Sequence, residues 1–300
     1  MHVLIFGGTG FVGNKLAAEL VANGYDVSVV SRSSARDEKN AVSKIGRIYW
    51  DTYSPLPVDD IPKTDVIVNL AGESIGKRRW TGKVKKEILN SRIRVTSAIA
   101  EAISKGLLKP NLLINASGAS YYGKRGDEKI TETGKNGDDF LAHVCRLWED
   151  EAYRAETGMT KVVTLRTGIV VGDNIAIRKM SLPVRFFIGG PTGPGNQWHS
   201  WIHIDDLIAV IKFIIEQRTI TGPVNAVSPE PVRNRELFRT LGEVLKRPSW
   251  FPVPGFVLKI VLGQMAEMLL HGQRVIPEKL LNAGYEFKCP DLKRALEDVL

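Results

Sequence analysis

The sequence predicts an α/β fold of the Rossmann type, with a doubly wound parallel sheet and a smaller α/β C-terminal part. Apolar, β-rich runs alternate with helical patterns through the first half of the 300 residues, and the connections between them are short. This alternation is typical of βαβ units in a parallel sheet. Runs such as HVLIF and DVIVNL are apolar throughout, which indicates strands covered on both faces.

The elements follow one another in a regular order. HVLIF, DVSVV, DVIVNL, NLLINAS and KVVTLRTGIVVG are predicted as strands, and GFVGNKLAAELVANG, about 81–105 and DDFLAHVCRLWEDEA as helices. After Gly172 the character changes, because Pro, Gly and Trp accumulate. We therefore predict a dinucleotide-binding domain over 1–172, to which about 200–226 returns, and a smaller substrate or lid domain over 173–300.

Composition and charge narrow the choice of partners and compartment. The net charge is +8, and GKRRWTGKVKKE is the densest basic run. Three interpretations of these charges are open: a solvated helix start, a nearby anionic cofactor or substrate, or a nucleic-acid site. The run lacks the repeated aromatic residues of a protein that binds single strands, so we expect no nucleic-acid partner. Cys145 and Cys289 form no CxxC motif, so we expect a reducing, cytoplasmic compartment without a secretory leader.

The run GFVLKIVLGQMAEMLL is the most apolar stretch late in the chain. Lys259, Gln264 and Glu267 interrupt it, and its apolar residues recur at helical spacing. We predict an amphipathic helix that packs on the body or forms a lid, in preference to a helix on a membrane surface. No membrane partner is expected.

The run VLIFGGTGFVG connects the first predicted strand to the first predicted helix. It places Gly7, Gly10 and Gly13 in a G-x-x-G-x-x-G pattern. Glycines let the backbone turn tightly and approach a pyrophosphate, which free N–H groups at a helix N-terminus then bind. We predict a dinucleotide site here rather than a plain tight turn. The cofactor-binding residues predicted in this turn are Gly7, Thr9, Gly10, Phe11, Val12 and Gly13.

The end of the second strand indicates which dinucleotide is bound. An acidic residue there would bind the ribose 2′-hydroxyl of NAD, but this sequence has Ser31 and Arg32. A guanidinium suits a phosphate, so we predict NADP (NADPH); the alternative for Arg32 is a solvated loop charge. Asp37 and Glu38 come too late to compete well.

Several motifs together resemble one family. GGTGFVG, SRSS, NLAGE, SGASYYG, RTGIVVG, WIHIDDL and GQRVIPEKLLNAGYEF resemble the extended short-chain dehydrogenase/reductase superfamily. The likeness is to its NAD-dependent epimerase/dehydratase side, in the atypical subgroup called epimerase family proteins. It implies that Leu70, Ala71 and Gly72 lie along the adenosine half, and that Val170 closes over the nicotinamide or simply packs in the core. It also implies that Glu87 and Arg92 face the cofactor, with a helix-surface ion pair as the alternative.

The proton-transfer pair of that superfamily is missing. Its members use a Tyr hydroxyl with a Lys four residues later on the same helix face. Here Leu141 and Cys145 occupy those positions, and no Tyr-x-x-x-Lys occurs anywhere in the chain. Ser117 and Tyr122 are therefore the candidate catalytic residues, with core packing an equal alternative for Tyr122.

The run WHSWIHIDDL offers His199, His203 and Asp205. Helix capping and a buried histidine explain these residues better than a metal, so no metal is expected.

These patterns lead to one functional prediction and two alternatives. The prediction is an NADP(H)-dependent oxidoreductase of the atypical extended type, acting on an unknown carbonyl or hydroxyl substrate. The first alternative is an NADP(H)-binding sensor without turnover, and the second is a nucleotide-sugar epimerase with tightly held cofactor. A homodimer is possible, because the long helices near 84–105 and 139–157 often pair across a dimer in this superfamily.

Overall fold

The computed structural model describes residues 1–32 and 45–300, so Asp37 and Glu38 lie outside the described residues. The strands are β1 (His2–Phe6), β2 (Asp26–Ser31), β3 (Ile45–Tyr49), β4 (Val66–Asn69), β5 (Leu112–Gly118), β6 (Lys129–Ile130), β7 (Lys161–Thr167), β8 (Ile169–Val171), β9 (Trp198–His199), β10 (Trp201–His203), β11 (Gly222–Ala226), β12 (Val232–Arg233) and β13 (Arg274–Val275). The helices are α1 (Phe11–Ala22), α2 (Gly82–Ser104), α3 (Phe140–Tyr153), α4 (Ile175–Arg185), α5 (Ile204–Gln217), α6 (Asn234–Leu245), α7 (Gly255–Leu262), α8 (Glu267–Leu270), α9 (Glu278–Asn282) and α10 (Leu292–Glu297).

The central sheet has seven strands within the described ranges, in the order β11-β7-β5-β4-β1-β2-β3. Every neighbouring pair in it is parallel. The chain first proceeds from β1 towards one edge and then restarts beside β1 with β4, which creates a switch point between these two strands. The Rossmann-type fold that the sequence predicts is confirmed.

The strand pleat sends alternate residues into two apolar layers. Val3 and Ile5 point into a core that also contains residues of α1 and α5. Leu4 and Phe6 point into the opposite core, which α2 helps to form. Both sheet faces are therefore covered, as uniformly apolar strands require.

The C-terminal part is tied back onto the sheet layers. β11 pairs with β7, and α5 packs against α1. Asp206, which is fully buried in the first turn of α5, accepts hydrogen bonds from the backbone N–H groups of Lys288 and Cys289 at 2.8 and 2.9 Å. The domain boundaries given above stay a prediction.

Two local features differ from the sequence interpretation. The N-cap of α5 is His203, whose Nδ1 accepts from the Asp205 N–H at 3.4 Å, and the aspartate pair lies in the first helical turn instead. The predicted late helix is divided: α7 ends at Leu262, just before Gly263 with its φ of +60°, and none of the residues of α7 is buried. Among the described residues, no helix combines the length and apolarity needed to span a membrane.

Candidate functional site

The glycine turn lies at the carboxyl end of β1, beside the switch point. Gly7 has φ +78°, and its carbonyl accepts the Gly10 N–H at 3.0 Å. A Cβ on Gly13 would lie 2.3 Å from that same carbonyl oxygen, and a Cβ on Gly7 would lie 2.9 Å from the Leu70 backbone. Side chains at these two positions would therefore break the turn. Gly10 is the N-cap of α1 and has no side chain to cap it, which leaves the helix N-terminus suited to an anion.

The other predicted residues of the turn surround this N-terminus. Thr9 and Phe11 are exposed, and Val12 is half-buried. A Cβ on Gly172, after β8, would lie 2.5 Å from Cζ of Phe11, so this ring lies directly over Gly172. Val12, Leu70 and Val170 pack against the same apolar cluster. The tertiary structure thus brings Val170 towards the turn, and both interpretations of this residue stay open.

Ser31 and Arg32 lie at the end of β2, the parallel neighbour of β1. The Ser31 carbonyl accepts the Trp50 N–H at 2.9 Å, which fixes this strand end. Ser31 is buried, whereas Arg32 is exposed. Parallel strands end at one edge of a sheet, so the exposed guanidinium lies on the same edge as the glycine turn.

A buried polar network holds the loop after β4. Asn69 donates to Thr96 Oγ1 at 2.9 Å and to Asn115 Oδ1 at 2.7 Å, and its own Oδ1 accepts the Ala71 N–H at 3.2 Å. Trp148 on α3 donates to the same Thr96 oxygen at 2.9 Å. Leu70, Ala71 and Gly72 are therefore held on α2, β5 and α3 together. Sequence reasoning missed this network, although two Asn at the ends of neighbouring apolar strands were a signal for it.

Arg92 on α2 binds the backbone of the same loop at Glu73. Its Nη1 donates to the carbonyl oxygens of Glu73 at 3.0 Å and Ile88 at 2.9 Å. A Cβ on Gly72 would lie 3.1 Å from Cζ of Arg92, so glycine lets the guanidinium approach the backbone. Burial lowers the pKa of Arg92. Glu87 has a different partner, because its carboxylate accepts from Arg78 at 2.6 Å at the surface.

The face of α3 that would carry the Tyr–Lys pair is apolar. Leu141 is buried in a cluster with Trp80, Ile88 and Val144, and Met265 packs against that cluster. Cys145 is also buried, and burial raises the pKa of its thiol to about 11. Leucine has no titratable group, and the raised pKa favours the protonated thiol of Cys145 at neutral pH.

A buried ion pair joins α3 to β7 directly behind Ser117. Arg166 donates to both carboxylate oxygens of Glu149, from Nε at 2.9 Å and from Nη2 at 2.8 Å. Each of these side chains is 4% exposed. Ser117, at the end of β5, donates to Glu149 Oε1 at 2.6 Å. Ser117 is thus buried near the carboxyl end of β5 with its hydroxyl oriented by Glu149, and its catalytic role stays a prediction.

The hydroxyl of Tyr122 belongs to the same network. It donates to Asn225 Oδ1 at 2.6 Å and accepts from Arg166 Nη1 at 2.9 Å. The residue is completely buried, and this burial raises the pKa of Tyr122 to about 12. This geometry favours the packing alternative over the role of proton donor. Sequence reasoning missed Glu149, Arg166 and Asn225, although an Arg within the apolar strand KVVTLRT requires a buried partner.

Of the histidines in the run WHSWIHIDDL, His199 has a hydrogen-bond partner on α6, whereas Nε2 of His203 is buried without a hydrogen bond to any described residue and lies 3.3 Å from a carboxylate oxygen of Asp298. The ring Nε2 of His199 lies 2.9 Å from Nδ2 of Asn234, and burial lowers the pKa of His199 to about 4. In the described chain, potential ligand atoms of His203, Asp205 and Asp298 lie within 4.8 Å of one another, and His199 is outside this group. Asp205 contacts the Lys15 ammonium, which already neutralises its charge.

Comparison with known proteins gives the same family over the whole chain. The family model of the NAD dependent epimerase/dehydratase family matches residues 3–226, and the Domain of unknown function (DUF1731) matches residues 253–299. Epimerase family protein YfhF of Bacillus subtilis is 37% identical over 301 residues, with 100% of this chain and 98% of that protein covered. Human epimerase family protein SDR39U1 is 37% identical over 305 residues, with both chains fully covered.

Solved structures agree with these relatives. The crystal structure of human SDR39U1 (isoform 2) with NADPH has a TM-score of 0.89 at 37% identity, and covers 100% of this chain and 99% of that one. A nucleoside-diphosphate sugar epimerase from Corynebacterium glutamicum has a TM-score of 0.79 at 31% identity, over 99% of this chain and 57% of its own. From the family match, the full-length relatives and the shared fold, the chain belongs to the NAD-dependent epimerase/dehydratase family, among the epimerase family proteins.

Proposed function

We propose that this protein binds NADPH and acts as an oxidoreductase of the atypical short-chain type on a carbonyl or hydroxyl substrate. The observation that carries the proposal is the glycine turn at the β1–β4 switch point, with the exposed Arg32 at the end of the adjacent strand. The human relative whose structure contains NADPH supports it, because that protein is 37% identical over the full chain.

The residues at the sheet edge fit the parts of this cofactor. The N–H groups at the start of α1 suit the pyrophosphate, and Arg32 suits the 2′-phosphate. Asn69 and Arg92 fix the loop that would run along the adenosine half. When bound, NADPH would supply a hydride. Ser117, whose hydroxyl donates to Glu149 at 2.6 Å, is our candidate for orienting the substrate oxygen.

A sensor without turnover is the second candidate. It is favoured by the buried Leu141 and Cys145 at the positions of the usual proton-transfer pair, and by the two hydrogen bonds that occupy the Tyr122 hydroxyl. A missing proton donor typically lowers a rate about 10²- to 10⁴-fold. Nucleotide-sugar epimerisation, suggested by the name of the Corynebacterium relative, would require cofactor that co-purifies and is not consumed.

The binding proposal is tested by titrating the protein with NADPH and NADH, with nicotinamide fluorescence as the signal. A charged hydrogen bond contributes about 1.5–3 kcal/mol, so we expect Arg32→Ala to weaken NADPH binding roughly 10- to 150-fold and to leave NADH binding unchanged. Arg239→Ala, which removes an exposed guanidinium on α6, is the matched control. Equal affinity of the unmodified protein for both nucleotides would overturn the assignment of NADP.

Turnover separates the two candidates once binding is measured. NADPH oxidation is measured with each member of a panel of carbonyl substrates, for the unmodified protein and for Ser117→Ala. Oxidation that this variant loses supports the enzyme. Saturable NADPH binding without oxidation across the panel supports the sensor.

A further inference from the structure

One side of the C-terminal part exposes far more apolar surface than a packed body requires. Three segments form what we call the apolar platform: residues 182–188, Trp250 with Phe251, and α7. Trp250 is 77% exposed, Ile260 69%, Phe256 67%, and Phe186 and Ile188 are each 66% exposed. Single exposed apolar residues are ordinary on a surface, but contiguous groups of them mark interaction sites.

Backbone contacts bring the loop after α4 next to the segment that precedes α7. A Cβ on Gly190 would lie 2.2 Å from the Phe251 carbonyl oxygen, so the loop after α4 packs on the backbone that follows α6. Val253 donates to the Pro191 carbonyl at 2.8 Å and accepts the Gly193 N–H at 2.9 Å. Because α7 begins two residues after Val253, it starts next to these backbone contacts.

The helix α7 is more exposed than its apolar composition predicts. An ordinary surface helix buries an apolar stripe against the body. Seven of the eight residues in GFVLKIVL are Gly or apolar, yet no residue of α7 is buried. The following segment makes the contacts to the body instead, through Met265 and Met268 in the cluster around Trp80. Leu258 and Leu262 are half-buried, whereas Phe256, Ile260 and Val261 are mostly exposed and are left for an environment outside this chain.

Basic residues outnumber acidic residues around the platform. Residues 174–194 and 244–266 contain no Asp or Glu, whereas they contain six basic residues: Arg178, Lys179, Arg185, Lys246, Arg247 and Lys259. Arg185 and Lys259 are exposed beside the apolar side chains, and the Arg247 guanidinium lies 5.1 Å from the Phe187 ring centre. Three acidic residues border these ranges: Asp173 pairs with Arg178 at 2.7 Å, Glu243 with Arg239 at 3.8 Å, and Glu267 with Lys124 at 2.5 Å and with Lys259 at 3.9 Å.

This combination distinguishes between the two plausible occupants. A second copy docked through the same platform would bring two predominantly basic surfaces together, which costs free energy. An anionic lipid surface instead attracts each of them, and aromatic and aliphatic side chains with basic neighbours are typical of helices in the membrane interface.

We propose that the apolar platform docks on the surface of an anionic lipid bilayer. The helix α7 lies in the plane of the interface, with Phe256 and Ile260 at the boundary between headgroups and acyl chains. Arg185, Arg247 and Lys259 contact the lipid phosphates. This differs from the sequence-based expectation of no membrane partner, which assumed that this helix packs on the body.

The experiment is co-sedimentation of the full chain with vesicles of phosphatidylcholine, alone or mixed with phosphatidylglycerol. We expect binding only to the mixed vesicles, and a loss of at least about tenfold in Phe256→Asp/Ile260→Asp, since burial of each large apolar side chain is worth about that factor. The matched control is Leu107→Asp/Met159→Asp, which changes two exposed apolar residues far from the platform and should bind as the unmodified chain does.

A second variant tests the charges separately. Arg185→Glu/Lys259→Glu should weaken binding to the mixed vesicles by at least about fivefold for each residue. Thermal unfolding of all variants shows that they remain folded. Equal binding to both vesicle types, or no binding to either, would overturn the proposal. So would self-association in light scattering that the Phe256→Asp/Ile260→Asp protein loses, because the occupant would then be a second copy.

Discussion

Single residues decide whether the cofactor turn can form. Gly7 and Gly13 are required for different reasons: Gly7 has a positive φ and lies against the Leu70 backbone, and Gly13 lies against the Gly7 carbonyl. The roles of these residues in the turn could be predicted from their spacing, because a G-x-x-G-x-x-G run between a strand and a helix has one common geometry. The hydroxyl of Tyr122 is a contrasting case, since its partners could not be read from the sequence.

For Gly13→Ala we expect loss of NADPH binding and a decrease of about 1–3 kcal/mol in unfolding free energy. The added methyl would lie 2.3 Å from the Gly7 oxygen, so the turn must open. Urea unfolding and NADPH titration measure the two effects. Gly82→Ala, at the start of α2 where a Cβ meets nothing within 4 Å, is the control and should change neither. Unchanged NADPH affinity in Gly13→Ala would contradict the assigned site.

For Tyr122→Phe we expect a stability loss of about 1–3 kcal/mol with unchanged NADPH affinity. The variant keeps the ring but leaves the buried Asn225 oxygen and an Arg166 N–H without their partner. Denaturant unfolding is the measurement, and Tyr121→Phe, which keeps its ring beside Arg166, is the comparison. Full stability together with lost NADPH oxidation would instead make Tyr122 the proton donor.

At the scale of elements, the face of α3 that carries Tyr and Lys in the superfamily has a structural role here. Along this face Leu141 joins the apolar cluster, and Glu149, two turns later, holds β7 through its ion pair with Arg166. The helix and its register could be predicted from sequence, and so could the absence of Tyr and Lys. The buried ion pair could not, because its two members belong to different elements.

Removing one partner of this pair should be more damaging than removing both. Arg166→Met leaves the Glu149 carboxylate buried without compensation, and we expect a loss of about 3–5 kcal/mol. Arg166→Met/Glu149→Leu should recover part of that loss, because no uncompensated charge remains. A double-mutant cycle by urea unfolding measures the coupling. Additive losses would show that the two charges do not depend on each other.

At the scale of the whole molecule, the second half of the chain is fixed to the first by buried polar groups. Asp206 holds the tail through backbone N–H groups, and Asn225 on β11 bonds both Tyr122 and, through its Nδ2, the Ile276 carbonyl at 2.9 Å. His199 adds a bond to α6 through Asn234. Because His199 is both buried and titratable, we expect the unfolding free energy to depend on pH at this position.

We expect acid to destabilise the protein partly through His199. Burial lowers its pKa to about 4, whereas the unfolded chain has the ordinary value of about 6.5. The unfolded state therefore takes up the proton first, so this contribution is complete above about pH 6.5 and falls by about 3 kcal/mol towards about pH 4. Unfolding free energies across this range, compared with His199→Gln, measure it. An identical pH slope in the variant would show that His199 is not responsible.

The sequence by itself determined the fold class, the glycine turn, the Arg at the end of β2 and the vacated Tyr–Lys positions. Each of these depends on neighbours close in the chain, or on a strand order that short βαβ connections impose. The tertiary structure decided the rest: the hydroxyl of Tyr122 meets Asn225 across 103 residues, and Arg92 supports a loop 19 residues before it. It also decided that α7 stays uncovered, because whether an apolar helix is buried depends on what the rest of the chain places against it, and its own periodicity carries no such information.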